Sequence, residues 1–265
     1  MLLKDKNAVI YGGGGAVGGV VARAFAREGA RVFLAGRTLA KLEHVAADIS
    51  AAGGAAEVAL LDAMDEHAVD LHADAIAAEA GGIDIALNAL GIAHVQGTPF
   101  AELSFEDYMH PVVAYTRTNF LTAKAASRHM VGQGSGVILT LSTPGARLSG
   151  QGFLGNGVAS AGVEAFSRIL AGELGASGIR VVCLRPHAIP EAVATSHTGE
   201  VFRGKAERDG TTVEGLLAEG MRSATLLKRL PTLAEVGDAA AFVASDRAGA
   251  TTGTVFDLTS GAIVD

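Results

Sequence analysis

Short apolar runs alternate with Ala-rich amphipathic stretches along the whole chain. Residues 7–11, 31–35, 56–61, 83–88, 136–142, 179–185 and 254–258 are apolar without the alternation of a sheet that has one wet face. They predict strands buried on both sides. Residues 16–28, 39–51, 66–80, 112–131, 158–176 and 233–244 carry the wider period of helices. Gly29, Gly53 and Gly178 fall where helices should end, and Asp65 and Thr232 where helices should be capped at the start. Regular strand–helix succession implies one parallel sheet with helices on both faces, a doubly wound α/β domain over residues 1–265. Residues 187–229 break the rhythm with Pro190, Gly199, Gly204, Gly210 and many charges. A segment of that size predicts either a lid over a site or a surface insertion with its own short helices.

Composition narrows the partners. The chain of 265 residues is 49% hydrophobic and only 18% charged, which excludes intrinsic disorder. A formal net charge of -7 argues against nucleic acid, whose phosphates require a dense Lys/Arg face. No run of about 18 apolar residues predicts a membrane span, and the N-terminal residues resemble no secretion signal. The one cysteine, Cys183, cannot close an internal disulfide, so a reducing, cytoplasmic setting is expected. Mid-strand, it reads as a small hydrophobe. The histidines show no metal-ligand spacing, and Ser142 and Ser160 lack a recognisable hydrolase motif.

The first strand runs into Gly12-Gly13-Gly14-Gly15-Ala16-Val17-Gly18-Gly19 and then a helix. Glycines permit a tight turn and close backbone approach to a diphosphate, which the N–H groups at a helix start then receive. Gly13, Gly15 and Gly18 fit the G-x-G-x-x-G spacing of a Rossmann dinucleotide site. After the second strand, Gly36-Arg37-Thr38 puts a cation where an NAD site would carry Asp or Glu. Arg37 therefore favours NADP, through charge-assisted bonds to its 2′-phosphate, over NAD. The alternative is a solvated loop arginine.

These residues resemble the short-chain dehydrogenase/reductase family over nearly the whole chain. Gly12-(x3)-Ala16-x-Gly18 is similar to its Gly-x3-Gly-x-Gly loop, with Ala16 in place of the middle glycine and Tyr11 in place of the usual threonine. Asp62 matches the family's adenine-contacting aspartate, and Asn88-Ala89-Leu90-Gly91 resembles its segment after the fourth strand. Residues 230–236 and 244–254 resemble its C-terminal pattern. The resemblance implies cofactor contacts from Gly12, Gly14, Gly15, Val17 and Gly18 in the first turn, and Arg37 and Thr38 in the second. It adds Leu61 and Asp62, then Asn88, Ala89 and Gly91, and finally Pro186 and Ile189. It also implies a homotetramer or homodimer packed through the helices that hold Asn119 and residues 158–176.

The catalytic pattern of that family is broken. Its members use a Ser-Tyr-Lys-Asn set in which a lysine ammonium brings a tyrosine phenol into the working range. Ala161-Gly162-Val163-Glu164-Ala165-Phe166 resembles the stretch after the lysine, which places Ser160 at the lysine position and Asn156 at the tyrosine position. Thr143 stands at the serine position and Asn119 at the helix asparagine. Realignment does not help. All three tyrosines (Tyr11, Tyr108 and Tyr115) precede Thr143, and no lysine lies between Lys124 and Lys205. The longer Tyr-x6-Lys spacing would fall on Phe153 and Ser160.

Neither the Asn156 amide nor the Ser160 hydroxyl relays a proton near neutrality. Three readings follow: an oxidoreductase whose proton comes from elsewhere, a reductase of activated C=C or C=N bonds, or a non-catalytic dinucleotide-binding sensor or partner protein. His187, directly after Pro186, is the first substitute acid by position, followed by His94, Arg147 and Tyr115. The bland alternative for each histidine is a solvated or hydrogen-bonded loop residue.

Overall fold

The computed structural model describes residues 1–264. Seven strands form one sheet in the order β3-β2-β1-β4-β5-β6-β7, with every pairing parallel. The strands are β1 Asn7–Tyr11, β2 Arg31–Gly36, β3 Ala55–Leu60, β4 Ile85–Asn88, β5 Gly136–Leu141, β6 Ile179–Pro186 and β7 Thr254–Leu258. The helices that return the chain between strands are α1 Ala16–Arg27, α2 Leu39–Ala51, α3 Glu66–Ala80, α4 Phe105–Gln133 and α5 Leu154–Leu174. After β6 come α6 Pro190–Thr195, α7 Thr198–Arg208, the single turn α8 Val213–Gly215 and α9 Leu233–Ala244.

Two hydrophobic layers sandwich the sheet. On one face Val21 and Phe25 of α1, Leu42 and Val45 of α2 and Val243 of α9 meet Ile10, Leu34 and Leu184. On the other, Val69 of α3, Met130 of α4 and Ala171 of α5 meet Val9, Phe33 and Ile138. Burying each such Phe, Leu or Val contributes about 1.5–3 kcal/mol. Successive strand residues supply opposite layers, so central strands must be apolar throughout.

The caps follow the sequence. Asp65 accepts from the Ala68 N–H at 3.2 Å, and Thr232 and Glu235 form a reciprocal capping box. Gly29, Gly53 and Gly178 all have positive φ just past their helices.

Three sequence expectations are corrected. The edge strand β3 is partly exposed, with Leu60 62% exposed, because an outer strand lacks a neighbour on one side. Helix α4 begins at Phe105 rather than after Pro111. Ser104 caps it by accepting from the Asp107 N–H at 3.0 Å, and Pro111 sits inside it, buried. Helix α5 begins at Leu154, four residues ahead of the expected start, with buried glycines in its first turn where α4 crosses. Residues 187–229 are largely helical, and Val193, Val201, Phe202 and Leu216 form a small core of their own. No helix among the described residues is long and apolar enough to cross a membrane.

Candidate functional site

The turns leaving β1, β2, β4, β5 and β6 surround one cleft of about 1360 Å³ at the C-terminal edge of the sheet. The glycine turn forms its floor. Gly12 has φ +81°, and a Cβ there would stand 2.7 Å from the Ala89 carbonyl oxygen. A Cβ on Gly18 would come within 2.2 Å of the Gly12 carbonyl oxygen, so helix and turn pack with no room for a side chain. Gly15 is the N-cap of α1 and supplies no capping side chain, and the first turn carries no acid. The opening N–H groups of α1 therefore lack side-chain acceptors and keep the positive end of the helix dipole open to an anion.

Most of the cofactor set expected from sequence lines this cleft: Gly12, Gly14, Gly15 and Val17 from the first turn, with Arg37, Thr38, Leu61, Ala89, Gly91, Pro186 and Ile189. Three do not. Gly18 acts by close packing. Asp62 turns back into its own loop, where Oδ1 accepts from the Met64 N–H at 2.9 Å. Asn88 is buried, its amide donating to Thr122 Oγ1 at 3.3 Å and its oxygen accepting from the Leu90 N–H at 3.1 Å. It shapes the loop that carries Ala89 and Gly91. Lys41 also lines the cleft. It lies four residues after Arg37 at the start of α2, a spacing that places both near one helix end.

At the other end, the structure brings together Thr143, Asn156 and Ser160. The Asn156 amide donates to Thr143 Oγ1 at 3.3 Å, and Thr143 Oγ1 and Ser160 Oγ share a hydrogen bond at 2.9 Å. All three line the cleft. Ser160 and Asn156 face β5 because they are one turn apart on α5. With Ser160 donating, the Thr143 oxygen is saturated as acceptor and its own O–H is left to donate to a ligand oxygen. Such a donor is polarised by the bonds behind it. Asn119 lies outside the cleft wall, on α4, with its amide donating to the Tyr115 carbonyl at 2.9 Å and its buried Oδ1 without a protein partner.

Titratable groups surround that set. His187 Nδ1 accepts the Ala188 N–H at 2.6 Å, which fixes the proton on Nε2. Burial lowers its pKa, with Asp257 opposing. The ring is thus neutral near pH 7 and serves as a hydrogen-bond donor more readily than as an acid. His94 contacts the Ile92 carbonyl through Nδ1 at 3.0 Å and the Gln96 amide through Nε2 at 2.9 Å, and burial lowers its pKa too. Burial raises that of Tyr115, offset in part by the Ile92 backbone. Arg147 does not line the cleft. Behind the site, Arg185 pairs with Glu164 at 3.2 Å and with Asp257 at 3.4 Å. Cys183 is buried, and burial raises its thiol pKa, as befits an inert side chain.

Sequence reasoning offered residues 187–229 as a lid or an insertion but named none of their side chains in the cleft apart from His187 and Ile189. Val201, Phe202, Leu216 and Met221, from residues 187–229, also line the cleft, together with His197. Only the hydrophobic positions of α7 offered a signal, and it was masked by surrounding charge.

The geometry has close relatives. The family profile described as Enoyl-(Acyl carrier protein) reductase matches residues 14–262. The chain is 30% identical over 187 residues to D-threitol dehydrogenase of Mycolicibacterium smegmatis, covering 71% of each protein. It is also 30% identical over 263 residues to an uncharacterized oxidoreductase of Mycobacterium tuberculosis, covering 98% of this chain and 92% of that one. A short-chain type dehydrogenase/reductase from Mycobacterium ulcerans superposes with a TM-score of 0.86 at 26% identity, covering 99% of this chain and 91% of that one. Fold, cleft and these likenesses agree: the chain belongs to the short-chain dehydrogenase/reductase family of oxidoreductases.

Proposed function

We propose that this protein is an NADP(H)-dependent oxidoreductase of a small alcohol or carbonyl compound, or of an activated C=C or C=N bond, with a proton path that bypasses tyrosine. The observation that carries it is one continuous cavity joining the glycine turn and Arg37 to the Thr143–Asn156–Ser160 cluster. At about 1360 Å³ it exceeds the usual range of about 300–1,000 Å³ for a single small ligand. That leaves room for a dinucleotide and a substrate together.

The residues present fit such a cofactor. Gly12 and Gly18 admit its backbone approach, the uncapped start of α1 suits its diphosphate, and Arg37 suits a 2′-phosphate. When bound, its nicotinamide would donate or accept a hydride. The Thr143 hydroxyl would hold the substrate's polar atom, with Asn156 and Ser160 orienting that hydroxyl. His187 Nε2–H, on a side chain that lines the same cleft, would replace the lost phenol. Residues 187–229 would act as a substrate lid, their apolar side chains excluding water.

A second copy of the chain would pack on α4 and α5. Phe120 and Ile169, 54% and 58% exposed, give those helices apolar outer faces. The protein is expected to work in the cytoplasm. The second reading, a dinucleotide-binding protein without catalysis, is favoured by one observation: no group in the Thr143–Asn156–Ser160 set titrates near neutrality.

Fluorescence titration with NADPH and NADH, followed by NADPH consumption against ketones, enones and imines, tests the proposal. Tighter NADPH binding with turnover of one class supports it. Binding without turnover supports the second reading. Preference for NADH would remove the assignment to Arg37.

A further inference from the structure

His197 has no counterpart in the sequence pattern, yet its side chain lines the cleft. It joins α6 to α7 in residues 187–229 and stands at the N-cap of α7 without using its side chain as a cap. Its ring lies directly over Gly91. A Cβ on Gly91 would meet the imidazole Cε1 at 2.1 Å, so only glycine leaves space for the ring. Gly91 in turn follows Ala89, whose carbonyl abuts Gly12. The imidazole is thereby suspended from the far wall over the loop that borders the glycine turn.

The charged groups facing it are Lys41 of α2, His94 of the loop after β4, and Glu200 of its own helix α7. Lys41 makes no ion pair among the described residues, and its side-chain stem packs where a Cβ on Gly14 would stand, within 2.9 Å. His197, Lys41 and the open start of α1 thus border one stretch of cleft from three elements. That stretch is rich in donors and poor in acids.

Resting on the reading of the cleft as a dinucleotide site, we infer that His197 is an additional ligand for the dinucleotide's diphosphate, protonated when that anion binds. The physical cause is local. Without an anion, burial lowers the His197 pKa, with His94 and Lys41 adding to the effect and Glu200 opposing it. A diphosphate between His197, Lys41 and the helix start reverses the balance, since an opposite charge at close range favours the imidazolium. Binding then takes up a proton, and affinity must rise as pH falls through the range between the free and bound pKa values.

The test is NADPH binding by the full chain, followed by fluorescence and by calorimetry in two buffers of different ionisation enthalpy, at about pH 6 and about pH 8.5. Wild type is compared with His197→Gln, which keeps a polar side chain without charge, and His197→Phe, which keeps the ring. The difference between wild type and variants isolates His197 from the 2′-phosphate, which itself titrates near pH 6. The expected result is about tenfold weaker binding in both variants at the lower pH, near-equal binding at the higher, and a wild-type proton uptake that both variants lose. Equal affinity and equal proton uptake in all three proteins would overturn the assignment of His197 while leaving the dinucleotide reading intact. Tighter binding by the variants would overturn it as well, marking His197 as an obstruction. Failure of wild type to bind either nucleotide would remove the underlying reading and the role of His197 with it.

Discussion

The two ends of the cleft differ in what they retain. The end built on β1, α1 and β2 combines a turn in which Gly12 and Gly18 have no room for a Cβ, an uncapped helix start, and Arg37 at the wall. The end built on β5, α5 and β6 is different. Thr143, Asn156 and Ser160 converge through bonds of 2.9 and 3.3 Å, but none carries a proton that moves near neutrality. Seating a nucleotide and relaying a proton are separate physical tasks. The first depends on backbone geometry and a helix dipole, the second on side-chain pKa, so a chain can keep one and replace the other.

The comparison breaks most sharply at the glycine turn. Gly18→Val would press a branched side chain into the Gly12 carbonyl, already 2.2 Å from the position of a bare Cβ. NADPH binding should be lost outright, with a fall in thermal stability of the kind that overpacking causes, about 1–3 kcal/mol or more. Fluorescence titration and thermal denaturation read both effects. Retained affinity would mean that the turn does not seat the nucleotide.

Asn156→Tyr combined with Ser160→Lys sharpens the contrast from the other end. The new ammonium would lie one helical turn from Glu164, which offers it a counter-charge in an otherwise buried position. Ketone reduction should rise by about 10²–10⁴-fold, the usual worth of general acid–base catalysis. Single-turnover rates with NADPH measure it, and no gain would show that substrate and hydride are misaligned in this scaffold.

Arg37→Ala should weaken NADPH by about tenfold to a hundredfold and leave NADH nearly unchanged, because one charge-assisted contact to the 2′-phosphate is removed. Parallel titrations decide it. The smallest effect is expected at His187. Its ring is neutral and its Nδ1 is already engaged by the Ala188 N–H at 2.6 Å, so His187→Ala should lower turnover by roughly tenfold or less while NADPH affinity stays constant. Turnover equal to wild type would take His187 out of the proton path.

Legibility in the sequence divides along the same line. The glycine turn, Arg37, the caps at Asp65 and Thr232 and the succession of strands and helices are local signals, each written in a few adjacent residues. Counting along the chain singles out Thr143, Asn156 and Ser160, and the three side chains are hydrogen-bonded to one another in the fold. The start of α4 was not readable, since Pro111 looks like a boundary until Ser104 is seen capping the helix seven residues earlier than the proline would suggest. Asp62 was assigned to the cleft by position, yet its side chain satisfies its own turn.

The sequence by itself determined the layered parallel sheet, the glycine turn after β1 and the lack of a Tyr-x3-Lys spacing after Thr143, because periodicity, glycine placement and residue identity are properties of the chain alone. Tertiary structure decided which distant groups line the cleft. Which side chains of residues 187–229 reach the cleft, the neutral state of His187 and the seat of His197 over Gly91 depend on groups distant in sequence. Burial and close approach are set by how elements pack, and no local pattern records them.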